Sequence, residues 1–133
     1  MKMMEKVKIL LVIDDEESIR DAFKFTLEDI DCEVLLAKNG KEGIEQARNN
    51  KPGLIFCDLK MPGMDGIETV KAIRKVDKKV PIYIITAFQQ EFFDKLRELR
   101  NTDNLDFQII DKPIGMPEIK AIFNSVFNGP TKY

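Results

Sequence analysis

Short apolar runs alternate along this chain with amphipathic stretches. Residues 8–13, KILLVI, are aliphatic at successive positions, the pattern of a strand buried on both faces. Residues 16–30 follow, with Ile19, Ala22, Phe23, Thr26, Leu27 and Ile30 at helical spacing. The alternation then repeats. A strand over 32–37 leads through an Asn39-Gly40 turn to a short helix over 41–49, closed by NNKPG. A strand over 53–58 leads through the turn-rich loop KMPGMDG to a helix over 67–76, with Val70, Ile73 and Arg74 in register. A strand over 80–86 starts beside a proline, and a helix of roughly 89–100 carries Phe88, Phe92, Leu96 and Leu99 on one stripe. The last pair is a strand over 106–110 and a helix over 116–127 with proline near its start. Residues 127–133 are expected to fray. Five strand–helix units in strict alternation predict an α/β, doubly wound (βα)5 fold, a parallel sheet with helices on both faces.

Length and composition narrow the function more than the fold. At 133 residues, one domain over 1–133 is the natural reading. The net charge of −2 argues against direct nucleic acid binding, which calls for a basic excess. No apolar run approaches the ~20 residues of a membrane span, and the start turns acidic too soon for a signal peptide. Cys32 and Cys57 make no disulfide framework and no CxxC, which fits a reducing, cytoplasmic setting. Histidine is absent, which excludes within this chain a Ser-His-Asp triad, a histidine zinc site and a phosphohistidine carrier.

The remaining polar chemistry collects at strand ends. In doubly wound sheets, ligands bind beyond the carboxyl ends of the strands. The first strand ends in Asp14-Asp15, the third in Asp58, the fourth in Thr86-Ala87 and the fifth in Asp111-Lys112-Pro113. Carboxylates so crowded repel unless a cation joins them, and Mg2+ takes such oxygen ligands together with water and phosphate. Glu16 and Glu17 are read instead as charges favourable to the helix dipole. Asp65-Gly66 already accounts for the turn after Asp58, which leaves Asp58 for other work.

With these residues assembled, the chain resembles the receiver domains of two-component response regulators over about residues 7–127. The resemblance rests on LLVIDDEESIR, GLIFCDLKMPGMDGIE, PIYIITA and DKPI, in that order. The loop DLKMPGMDGIE is especially close to receivers of bacterial phosphorelays. The resemblance implies a flavodoxin-like three-layer sandwich with strand order 2-1-3-4-5. It implies Asp58 as phosphoacceptor, Asp15 as a Mg2+ ligand, Asp14 acting through water and charge, and the main-chain carbonyl of Lys60 as a further ligand. Thr86 would bind a phosphoryl oxygen, Lys112 would pair with phosphate, and the bond from Lys112 to Pro113 would be cis. The donor would be a histidine kinase or a histidine phosphotransfer protein, and the output would be contact with a downstream protein target. No output domain is expected, and a transient homodimer is compatible with this reading.

Two departures stand out. The position three residues before the lysine, commonly aromatic in the family, is Ile109, and the stretch from Thr86 to Lys112 is longer than usual. The response is therefore expected to run from Thr86 through Ala87 and Phe88, with Ile109 taking a smaller part. Lys60 and Phe88, each two residues past a site residue, are candidates for tuning the lifetime of the phosphoryl group. Two other classes share these features. A haloacid-dehalogenase-like phosphohydrolase would need a DxD on the first strand, where this chain has Asp-Asp-Glu. A pseudo-receiver would not need the acid, hydroxyl and lysine set.

Overall fold

The computed structural model describes residues 7–87, 94–98 and 105–129. The aliphatic runs form five parallel strands: β1 (Ile9–Ile13), β2 (Glu33–Ala37), β3 (Leu54–Asp58), β4 (Ile82–Thr86) and β5 (Gln108–Asp111). Their order is β2-β1-β3-β4-β5. The winding reverses between β1 and β3, which opens a crevice at the carboxyl ends of those two strands.

Residues alternate between the faces, so each strand feeds two cores. Leu11, Ile13, Ile55, Cys57 and Ile84 meet helices α2 (Gly40–Asn50) and α3 (Gly66–Val76), and Leu96 of the helical residues 94–98 (α4) joins them. Leu10, Val12, Leu54, Phe56 and Ile85 meet α1 (Glu17–Leu27) and α5 (Met116–Phe127). The second layer is the aromatic one. Phe56 lies 4.8 Å from Phe23 and 5.6 Å from Tyr83 between ring centroids.

Several boundaries differ from the periodicity for local reasons. α1 stops at Leu27 because its last amides tighten to i→i−3 bonds, Glu28 to Phe25 and Ile30 to Leu27. Ala22 is exposed, while Ile19, Phe23, Thr26, Leu27 and Ile30 form the packed stripe. The Thr26 hydroxyl is buried with no hydrogen-bond partner among the described residues. Asn39 does not end a turn but caps α2, its Oδ1 accepting from the Glu42 amide at 2.8 Å. Phe127 does not fray. Its ring stacks 4.6 Å from Phe123 and fills the space a Cβ at Gly53 would occupy.

The entry to β5 is fastened to α3. Arg74 donates from Nε and Nη2 to the Asp106 carbonyl, at 3.1 and 2.6 Å, and from Nη1 to the Asp77 carbonyl at 3.2 Å. Phe107, beside it, is buried in the α2–α3 layer. Of the stripe expected around residues 89–100, Leu96 is buried; Phe88, Phe92 and Leu99 lie outside the described residues. Among the described residues, no helix is long and apolar enough to cross a membrane.

Candidate functional site

Asp58 ends β3, the most deeply buried strand, and is itself only 6% exposed. The loop after it closes without its side chain. The Gly66 amide donates to the Leu59 carbonyl at 2.7 Å, and Asp65 Oδ1 caps α3 by accepting from the Glu68 amide at 2.9 Å. A Cβ at Gly66 would collide with the Asp58 carbonyl oxygen and lie 2.7 Å from Leu59 Cα, so only glycine fits there. The Asp58 carboxylate is left facing the crevice.

Asp14 lies one residue past β1, on the other side of that crevice. Its amide donates to the Ala37 carbonyl, its Oδ1 accepts from the Glu16 amide at 3.0 Å, and its carbonyl accepts from Arg20 Nη1 at 2.7 Å. Lys112 arrives one residue past β5, its amide bonded to the Thr86 carbonyl at 3.0 Å, and the peptide bond to Pro113 is cis. Its ammonium lies 3.3 Å from Asp58 Oδ1, 3.3 Å from Asp14 Oδ2 and 3.6 Å from Glu16 Oε1. Asp15 is exposed, next in the chain to Asp14.

Burial dominates the electrostatics. It pushes the Asp58 carboxyl up to about 7, helped by the neighbouring charge of Asp14 and opposed by Lys112. Burial also raises Asp14 against the pull of the Glu16 amide and of Lys112. For Lys112, burial acts downward, but the carboxylates of Asp58 and Asp14 outweigh it and the ammonium is held more firmly charged than usual. Cys57, wholly buried beside Asp58, has its thiol pushed far up by burial and is inert at neutral pH.

Among the described residues, three carboxylates thus share one ammonium, with Asp15 adjacent to Asp14. Ligand oxygens of Asp14, Asp15 and Glu16 lie within 4.8 Å of one another. Excess negative charge on hard oxygen donors suits Mg2+. Thr86 is fully buried at the end of β4, beside Asp111 in register, and Ala87 beyond it is exposed. Ile109 is half-buried in the α2–α3 layer, opposite Ile84. Lys60 and Pro113 are exposed, and Phe88 lies outside the described residues. Asp111 is exposed and is not among the ion-pair partners of Lys112. Reasoning from sequence missed the reach of Glu16 to Lys112. A glutamate at a helix N-cap, where shorter side chains do better, was the available signal.

Residues 10–124 match the family model of the response regulator receiver domain. The chain belongs to that family. It is 40% identical over 85 residues to the alkaline phosphatase synthesis transcriptional regulatory protein PhoP of Bacillus subtilis, covering 64% of this chain and 35% of PhoP. It is 38% identical over 118 residues to a protein-glutamate methylesterase/protein-glutamine glutaminase of Methanococcoides burtonii, covering 87% of this chain and 33% of that protein. The chain therefore spans about a third of these relatives. Among solved structures, the Vibrio cholerae chemotaxis protein CheY4 superposes with a TM-score of 0.78 at 28% identity, covering 92% of this chain and 100% of CheY4. Receivers of this family are signalling domains of two-component systems, and in general they bind Mg2+ at an acidic pocket.

Proposed function

We propose that this receiver accepts a phosphoryl group on Asp58 from a histidine kinase or a histidine phosphotransfer protein, and that the modification changes which protein it binds. The observation that carries this reading is the shared ammonium of Lys112, 3.3 Å from both Asp14 and Asp58 at the mouth of a buried crevice. An Asp58 oxygen attacks phosphorus, the bond to the donor nitrogen breaks, and an acyl phosphate forms. Asp14, Asp15 and Asp58, with the main-chain carbonyl of Lys60, would hold Mg2+. When bound, that ion neutralises charge on the phosphoryl oxygens. Lys112 offers a fixed positive partner to the same oxygens, and the Thr86 hydroxyl a hydrogen bond at the end of β4. The added charge of about −1.5 to −2 is the signal. It leaves through Thr86 and Ala87 toward the connection before β5, with Ile109 repacking as an aliphatic side chain. Two free thiols support a reducing, cytoplasmic location.

The test is incubation with acetyl phosphate and Mg2+ followed by intact mass. One phosphoryl group is expected, lost on chelation and absent in Asp58→Asn. Label that persists in Asp58→Asn would move the acceptor elsewhere.

A further inference from the structure

Glutamate is poorly suited to a helix N-cap, where Ser, Thr, Asp and Asn reach back to the N2 or N3 amide. Glu16 occupies the N-cap of α1, and its side chain makes no capping hydrogen bond. Its own amide is engaged by Asp14, and its carboxylate instead reaches Lys112 at 3.6 Å. Among the described residues, Lys112 therefore has three carboxylate partners, and they are unequal. The side chains of Asp14 and Asp58 are 3% and 6% exposed, while that of Glu16 is 58% exposed. Glu16 is the outer partner, on the solvent side of the ammonium. Helix-dipole charge does not explain this placement, because Glu17 supplies the acidic first turn and is not a partner of Lys112.

We propose that Glu16 is a positioning residue that sets donor specificity: by engaging Lys112 at the mouth of the site, it disfavours phosphorylation of Asp58 by small anionic phosphodonors. A small donor brings its phosphoryl oxygens to Lys112 past this carboxylate, with no other contacts to offset the repulsion. A protein donor buries a large surface around the mouth and is far less sensitive to one exposed charge. The chemical step is unchanged. An Asp58 oxygen forms its bond to phosphorus while the phosphorus–oxygen bond of acetyl phosphate breaks, and acetate leaves with the electron pair. The inference rests on Asp58 being the acceptor.

The experiment compares wild type, Glu16→Gln and Glu17→Gln as full chains. Labelling is followed by intact mass over a range of acetyl phosphate concentrations, with Mg2+ saturating for each protein. Glu16→Gln should lower the half-saturating donor concentration about three- to fivefold, the range open to a partly exposed ion pair, with the limiting rate within about twofold. Raising salt from about 0.05 M to about 0.5 M should shrink that difference. Beryllofluoride, an anionic phosphoryl mimic, should bind Glu16→Gln more tightly by a similar factor in 19F NMR. Glu17→Gln should match wild type in every measurement. Equal half-saturation in Glu16→Gln and wild type overturns the proposal. So does an equal shift in Glu17→Gln, which would make the effect one of net charge alone. Failure of wild type to take label on Asp58 overturns the phosphoacceptor reading itself, an outcome separate from both.

Discussion

β3 and β5 each deliver one charged partner to the crevice, and they are built in opposite ways. β3 has a neighbour on both sides, and all five of its residues are buried, with Leu54 and Phe56 in one core and Ile55 and Cys57 in the other. Among the described residues, β5 is an edge strand, paired only to β4, and none of its residues is fully buried. Asp58 therefore stands on a strand that moves only if both layers repack. Lys112 stands beyond a strand held by one ladder and partial packing. The site joins a fixed carboxylate to a partner with room to adjust, which suits the proposed addition and removal of charge at Asp58.

That contrast breaks most readily on packing. Phe56→Ala on β3 empties space between Phe23 and Tyr83 and should cost about 3–5 kcal/mol in denaturant unfolding. Ile109→Ala on β5, half-buried already, should cost about 1–2 kcal/mol, below the fully buried range. Equal losses would show that the edge is as constrained as the centre.

A smaller and pH-dependent effect separates charge from packing. In metal-free protein, folded Asp58 titrates near 7 against an ordinary value of 3.8. Between those values the folded state binds more protons than the unfolded one, so stability should fall as pH rises through that window. The raised Lys112 adds stability that is lost only well above it. Lys112→Met keeps the stem but removes the charge that opposes this rise. It should cost about 1–3 kcal/mol at pH 8 and much less at pH 5, where Asp58 is protonated. A pH-independent loss, read by thermal unfolding in chelator, would assign Lys112 to packing rather than charge.

The smallest effect calibrates the aromatic layer with no charge involved. Thr26→Val removes a buried hydroxyl that has no partner among the described residues and should stabilise the protein by about 1 kcal/mol. Destabilisation would mean that the hydroxyl contributes an interaction in solution.

The strands were legible because burial on both faces leaves an unbroken aliphatic signature, and Asp14, Asp58 and Lys112 were legible because strand ends converge in this topology. The end of α1 was not, since Ile30 continues the apolar stripe after the helical hydrogen bonds have stopped. Phe127 looked like part of a loose tail because its partners, Phe123 and the space above Gly53, are set by tertiary packing. Glu16 was read as a helix-end charge because its contact with Lys112 spans most of the chain, and local pattern carries no information about it. The expectation for Phe88 falls outside the described residues.

The Arg74 clamp on Asp106 and Asp77 has a consequence for how this fold can vary. It makes α3 a reference point for the last strand. The start of β5 is thus fastened from α3 as well as through the chain that leads into it. A change at Arg74, remote in sequence from Lys112, reaches the lysine through the strand that it follows.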